Sequence, residues 1–389
     1  MFAQLAMIVG AALLGPLLAA GRRPLVPVLI GELAAGAILG RTGFRLLDAS
    51  MQPLAAFYAL GFAMLMLSAG TRVDLRSPDL RAGAPRAALT VGVVCLLSIP
   101  AGWAVAVGLG VPNPWLLAVL LAGSSAALVF PILEERGLAG PRVAFLVTWV
   151  LIADALTAVL MPLALTGPGQ IPLALAGDAA IVAIGAAVVL AFRPRPVQAR
   201  MLVYFERSRQ RGWALQLRLS ILLLLVLATI AVSSGGSELI AGFVAGIVIS
   251  TLREPGRLAL QLSGLAQGFF VPAFFVLLGT KLDLRAMVSD PRAIGLAVAM
   301  AVGSVVVHVL ASLVTGGGRR RLPAGFMASA QLGLPAAAAS LGLASGKMAP
   351  ALAAALVAGG CLTLIPALVG AALTAPGPAP EGAAAKVAA

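Results

Sequence analysis

A single carboxylate, Asp154, stands near the centre of an otherwise uncharged apolar run from Val143 to Thr166. Upstream, the stretch GSSAALVFPIL sets Ser124 and Ser125 in the middle of another apolar segment, with Pro131 just beyond. A carboxylate at mid-bilayer costs about 2.5–3.5 kcal/mol on insertion scales, so its default reading is functional. A helix interrupted at similar depth is the usual way to expose backbone groups to an ion inside a membrane. Burial disfavours the carboxylate ion and a bound cation favours it. One such group can therefore hold either a proton or a cation, with the two competing. The bland alternative is an acid hydrogen-bonded to a neighbouring helix. Ser124, Ser125 and Thr157 are candidate neutral oxygen ligands, and equally candidate hydroxyls that satisfy backbone groups.

The elements that must hold these residues are membrane helices. Of 389 residues, 61% are hydrophobic and 11% charged, against roughly 25% charged in soluble domains. The expectation is an all-α polytopic membrane protein with about thirteen transmembrane helices. The spans read as 4–20, 25–40, 54–70, 87–109, 115–133, 143–166, 171–191, 215–232, 236–250, 261–279, 291–314, 323–345 and 349–374. The first two are short and must rely on tilt or on neighbours to match the bilayer. The formal charge of +13 lies in short loops rather than in a nucleic-acid surface. Odd-numbered loops carry twenty of the 27 Lys and Arg and even-numbered loops six. By the positive-inside rule the N-terminus lies outside and the C-terminus in the cytoplasm of an inner (plasma) membrane. The basic stretch from Arg193 to Arg218 reads as the main cytoplasmic loop, and 375–389 as a disordered Pro/Ala-rich tail. MFAQLAMIVG lacks the basic start of a cleavable signal and is expected to stay as the first span. Cys95 and Cys361 sit within apolar spans and suggest neither a disulfide nor a metal site. No cofactor motif is present.

The chain also repeats itself. ELAAGAILG from Glu32 returns as ELIAGFVAG from Glu238, and GTRVDLR from Gly70 as GTKLDLR from Gly279. GLAGPR from Gly137 returns as GLASGK from Gly342, and Ala155-Leu156-Thr157 as Cys361-Leu362-Thr363. Corresponding spans are seven apart, an odd number of crossings, so the halves must be inverted: spans one to six against eight to thirteen. Folds of this kind place the substrate where discontinuous helices cross near mid-membrane. Span five is the first such helix. Its counterpart, span twelve, carries Gln331, Gly333 and Pro335, residues that loosen a helix or remove a backbone donor. The register places Gly360 opposite Asp154, which argues against a purely architectural acid.

Other polar residues at membrane depth read less sharply. Asp178 in span seven is either an interfacial acid or an entry-path group. Glu32 and Glu238, kept in both halves, fit helix ends and close Gly-x-x-x-Gly packing. His308 in span eleven, one turn from Ser304, is either a hydrogen-bonded packing residue or a proton-linked one. Glu134-Glu135-Arg136 and Arg319-Arg320-Arg321 read as solvated loop ends.

These stretches together resemble the monovalent cation:proton antiporter superfamily, in particular the branch of Kef-type potassium systems and bacterial sodium/proton exchangers. GELAAGAILG, GFAMLMLSAGTRVDL, SELIAGFVAGIVIS and FFVPAFFVLLGTKLDL are similar to its signatures. GSSAALVFPILEERG is similar to its unwound helix, and IADALTAVL to its ion-binding helix. The resemblance covers the chain to about residue 374. It implies a translocating core (spans four to six and eleven to thirteen), a dimerising scaffold (one to three and eight to ten), span seven as linker, and Asp154 as the essential acid. It also implies a homodimer in the bilayer, with a monovalent cation and a proton as partners. Electrogenic members carry two adjacent acids and others Asn-Asp or Gln-Asp; here Ala153 precedes the acid. Many members place Lys or Arg in the eleventh span, where this chain offers Ser304 and His308. One carboxylate most simply supports electroneutral exchange. The same fold type also allows proton- or sodium-coupled symport of an organic solute, or a non-transporting sensor. With no nucleotide-binding domain after the last span, Kef-type gating is not expected within this chain.

Overall fold

The computed structural model describes residues 2–20, 28–47, 51–71, 78–138, 140–165, 171–192, 194–234, 238–251, 255–315 and 321–374. The expected tail, 375–389, and Arg319-Arg320 lie outside the described residues, as do the side chains of Glu134, Glu135 and Glu238. In chain order the helices are α1 (Phe2–Ala12), α2 (Leu14–Ala19), α3 (Val28–Leu39), α4 (Gln52–Thr71), α5 (Pro78–Leu109), α6 (Pro114–Ala122), α7 (Ala126–Glu135), α8 (Pro141–Leu165), α9 (Ile171–Ala191) and α10 (Arg195–Gln210). They continue as α11 (Leu215–Ser234), α12 (Glu238–Ser250), α13 (Pro255–Leu265), α14 (Val271–Lys281), α15 (Leu284–Ser289) and α16 (Pro291–Val314). The last four are α17 (Leu322–Ala328), α18 (Gly333–Ala344), α19 (Pro350–Leu362) and α20 (Leu364–Leu373). A π-helical turn, Ala266–Phe270, joins α13 to α14. All regular elements among the described residues are helical.

The expected spans fall on helices or joined helix pairs throughout. Among the described residues, nine are long and apolar enough to cross a membrane; Val28–Leu39, Leu175–Ala191 and Ile240–Ser250 are apolar but shorter. The shortfall from thirteen arises where span five splits and where these three apolar stretches, counted over the described residues alone, come to fewer than the ~20 residues a bilayer requires.

Two compact units emerge, one built from α1–α4 and α9–α14, the other from α5–α8 and α16–α20, with the division inside α15. In the first, α3 packs on α14 and α12 on α4. Apolar lipid supplies no hydrophobic drive for helix association, so close backbone approach between small residues has to. A Cβ on Gly36 would land on the Val276 carbonyl, and one on Gly246 on the Leu67 carbonyl. The two copies of E-L-x-A-G-x-x-x-G thus do the same work twice. Glu32 is buried within this unit, its stem against Gly15 of α2.

The basic stretch read as a loop contains α10. Met201 and Phe205, one turn apart, sit with Val188 of α9, Phe192 just after it and Leu219 of α11 around one cavity. Its apolar residues, Val197, Ala199 and the run Met201 to Phe205, lie amid Arg195, Arg200, Arg207 and Arg209, so a charge-based reading passes over the helix.

The second unit repeats a three-part arrangement. α5 packs on α6 and α8, and its repeat counterpart α16 packs on α17 and α19. Asn113, in the left-handed region at φ 71°, caps α6: its Oδ1 accepts the Leu116 amide. Its Nδ2 donates to the Ala164 carbonyl at the end of α8, 2.6 Å away. Asparagine tolerates this backbone conformation far better than alanine. Asn113→Ala is therefore expected to cost about 1–2 kcal/mol, the upper range for a lost cap, seen as a lower melting temperature of the purified protein.

Candidate ion-binding site

Both helices expected to be discontinuous are interrupted. The first breaks between α6 and α7: Gly123 ends α6 with extended backbone (φ −65°, ψ 146°), and helix resumes at Ala126. The second breaks between α17 and α18, over residues 329–332. At the aligned offset, Gly123 to Ser125 corresponds to Ser329 to Gln331. The inverted copies therefore break at the same place.

The breaks meet side chain to backbone. A Cβ on Gly123 would lie 2.6 Å from the Gln331 side-chain oxygen, so glycine is what admits that carboxamide to the first break. A Cβ on Gly360 would lie 2.8 Å from the Gln331 backbone carbonyl. Gly360 is thus required by close approach, and its lack of an acid says little about Asp154, which corrects the inference drawn from the repeat.

Each break is capped by an oxygen from the following helix. The Ala126 amide, first in α7, donates to Asp154 Oδ2 of α8 at 3.2 Å. In the second half the Gln331 amide donates to Thr363 Oγ1 at 3.0 Å, while that hydroxyl donates to the Gly360 carbonyl at 2.6 Å. A break amide is thus accepted by a neutral hydroxyl in one half and by a carboxylate in the other, although the register pairs Thr363 with Thr157 and Gln331 with Ser125. Capping needs an acceptor but not a charge. The charge of Asp154, set at the positive end of α7, is surplus to architecture.

Oxygen donors gather around this point. Ser124 is 1% exposed, and its hydroxyl has no partner among the described residues. Gln331 is also 1% exposed, with both carboxamide atoms unpartnered among the described residues. Leaving such groups unsatisfied costs about 1–3 kcal/mol each, so they mark a place built for something polar. Ser125 is buried, and its carbonyl accepts the Leu128 and Val129 amides at the start of α7. Thr157 commits its proton to the Ala153 carbonyl at 2.7 Å; its lone pairs stay available.

His308 of α16 is fully buried. Its Nδ1 lies 2.8 Å from the Ser304 carbonyl, so that nitrogen carries the proton. The ring stacks on Trp149 of α8, with centroids 5.8 Å apart and planes at 19°. Ser304 in turn donates to the Ser329 carbonyl at the second break, at 3.2 Å. Ser304 therefore ties α16 to the break, and His308 packs α16 on α8. Asp178 is buried on α9, in the other unit.

A sequence profile of the family described as "Sodium/hydrogen exchanger, transmembrane" matches residues 9–375. This chain belongs to that family. It is 26% identical to the "Putative Na(+)/H(+) antiporter YjbQ" of Bacillus subtilis over 74% of this chain and 48% of that protein. It is 26% identical to the "Probable Na(+)/H(+) antiporter 3" of Methanocaldococcus jannaschii over 67% of this chain and 66% of that one. It thus spans about half the length of the Bacillus relative and two thirds of the archaeal one. Among solved structures, the sodium proton antiporter MjNhaP1 of M. jannaschii at pH 8 superposes with a TM-score of 0.67 at 15% identity, covering 95% of this chain and 96% of that one. That likeness is one of fold.

For this sodium/hydrogen exchanger family member, three contributors escaped the reading of residue types. Thr363 served only as an alignment anchor, though its match to Thr157 was the available signal. Trp149 gave none, because an aromatic in an apolar span is ordinary. Gly123 opened the quoted stretch, but glycine there reads as looseness rather than as room for a partner.

Proposed function

We propose that this protein exchanges a monovalent cation, sodium or potassium, for protons by alternating access, with Asp154 as the site both ions share. One observation carries the reading: the Asp154 carboxylate sits at an interrupted helix where a neutral oxygen suffices for structure in the equivalent half. Family membership supports it, as do the printed activities of the relatives. Asp154 supplies the charge, Ser124, Ser125 and Thr157 supply neutral oxygens, and Gln331 reaches in from the second break. A proton on Asp154 leaves the cation no anionic ligand, and a bound cation excludes the proton.

The unit containing α5–α8 and α16–α20 is taken as the translocating core. The other unit is taken as the scaffold through which a homodimer forms, with thirteen crossings, the N-terminus outside and the C-terminus inside.

The exchange is read as electroneutral because Ala153 adds no second acid and α16 has no Lys or Arg beyond its first turn. His308 and Ser304 stand where such a cation would be, engaged in packing contacts. The experiment is cation-driven proton flux in proteoliposomes, with lithium, sodium, potassium and rubidium compared. Sodium or potassium should drive flux, and clamping the membrane potential at different values should leave the initial rate unchanged. A rate that rises steeply with potential would contradict one-for-one exchange.

A further inference from the structure

A cavity of about 510 Å³ lies in the second unit, lined by the N-terminal parts of α5 and α8, by α17 and by the end of α20, and not by Asp154. Arg86 of α5, Arg142 at the start of α8 and Arg321 just before α17 all line it. They come from three different odd-numbered loops, which the fold gathers at one mouth. Among the described residues none of the three has a carboxylate partner. Arg86 and Arg142 are exposed with no side-chain partner there. Arg321 lies over the Phe145 ring at 4.5 Å and reaches the Thr315 carbonyl at 3.4 Å, which leaves most of its donors unused.

Three guanidinium groups around one concavity, without a carboxylate partner among the described residues, repel one another and are relieved by an anion. Guanidinium matches phosphate oxygens in a fork geometry. Phe145, Met327 and Leu373 add apolar lining, so the occupant suited to the whole cavity carries apolar bulk behind its charge. We propose that this cavity binds a phosphate-bearing anion, with the arginines on the phosphate and the apolar lining against what the phosphate carries. An acidic phospholipid headgroup and a soluble phosphate share that chemistry. Because the cavity is lined by α5, α8, α17 and α20 together, an occupant would brace the helix bearing Asp154 against the first half of the second broken helix.

The test is binding, and so does not depend on ion exchange. Purified, delipidated full chain is titrated with short-chain phosphatidylglycerol, with phosphatidylcholine and with inorganic phosphate, following the melting temperature. A concentration-dependent rise with phosphatidylglycerol alone identifies a lipid headgroup; a rise with inorganic phosphate as well identifies a site open to soluble phosphate. Either supports the site, provided Arg86→Gln and Arg142→Gln each weaken the apparent affinity by about fivefold, the factor that ~1 kcal/mol per basic residue converts to. Both substitutions are at exposed positions, so the fold should survive them. No shift with either phosphate source, an equal shift with phosphatidylcholine, or undiminished affinity in both variants would overturn the proposal.

Discussion

Asp154→Asn is expected to lower cation-driven proton flux to the level of protein-free liposomes while leaving the protein folded. The asparagine oxygen can still accept the Ala126 amide, as the Thr363 hydroxyl accepts the Gln331 amide in the other half. What it cannot do is release a proton or offer a cation a negative ligand. If Asp154 were packing glue alone, the outcome would invert. Exchanging a charged acceptor for a neutral one weakens the bond to Ala126 by about 1 kcal/mol, so the melting temperature would fall while residual exchange continued. Flux and melting curve measured on the same preparation separate the two.

The second large effect is expected at the glycines of the breaks, where two similar substitutions should fail differently. In Gly360→Val the new side chain meets the backbone carbonyl of Gln331 and the ring of Pro335. Neither can swing aside, so the second break must move. Overpacking of this kind costs about 1–3 kcal/mol, and both stability and flux should drop. In Gly123→Ala the added methyl meets the end of the Gln331 side chain, a methyl of Leu334 and, at 3.0 Å, the Leu120 carbonyl. The two side chains can turn away and the carbonyl need give only slightly, so the protein should fold with little loss while Gln331 withdraws from the first break. The expected signature is a near-normal melting temperature with a raised half-saturating cation concentration. An unchanged half-saturation would remove Gln331 from the ion site.

Much of this arrangement could be read before any coordinates. The inverted repeat was visible because close helix packing demands glycine at fixed spacing, and Gly36, Gly40, Gly242 and Gly246 leave a pattern even in an apolar sequence. The breaks were visible as Ser124-Ser125 and as Gln331, Gly333 and Pro335, because polar and helix-loosening residues stand out at membrane depth. The reason for Gly360 was not visible. A glycine that leaves a position empty and one that makes room for a backbone are the same letter, and only the Gln331 carbonyl distinguishes them. Thr363 was hidden for a related cause: a threonine in a membrane helix usually bonds its own preceding turn, as Thr157 does. The Trp149–His308 stack joins residues far apart in sequence, and neither carries information about the other. α10 is hard to see in the sequence because its apolar residues fall mostly in one run, Met201 to Phe205, rather than at helical spacing, amid basic residues.

The central claim is that one carboxylate serves proton and cation in turn. Its most direct test is proton release on cation binding to the purified protein, without any membrane gradient. Titrating sodium or potassium into weakly buffered protein at the acidic end of its active range should displace close to one proton per cation bound. Each further unit of acidity should raise the half-saturating cation concentration about tenfold, as linked binding at one site requires, and Asp154→Asn should release none. Cation binding with no proton released at any pH, or release undiminished in Asp154→Asn, would contradict the account.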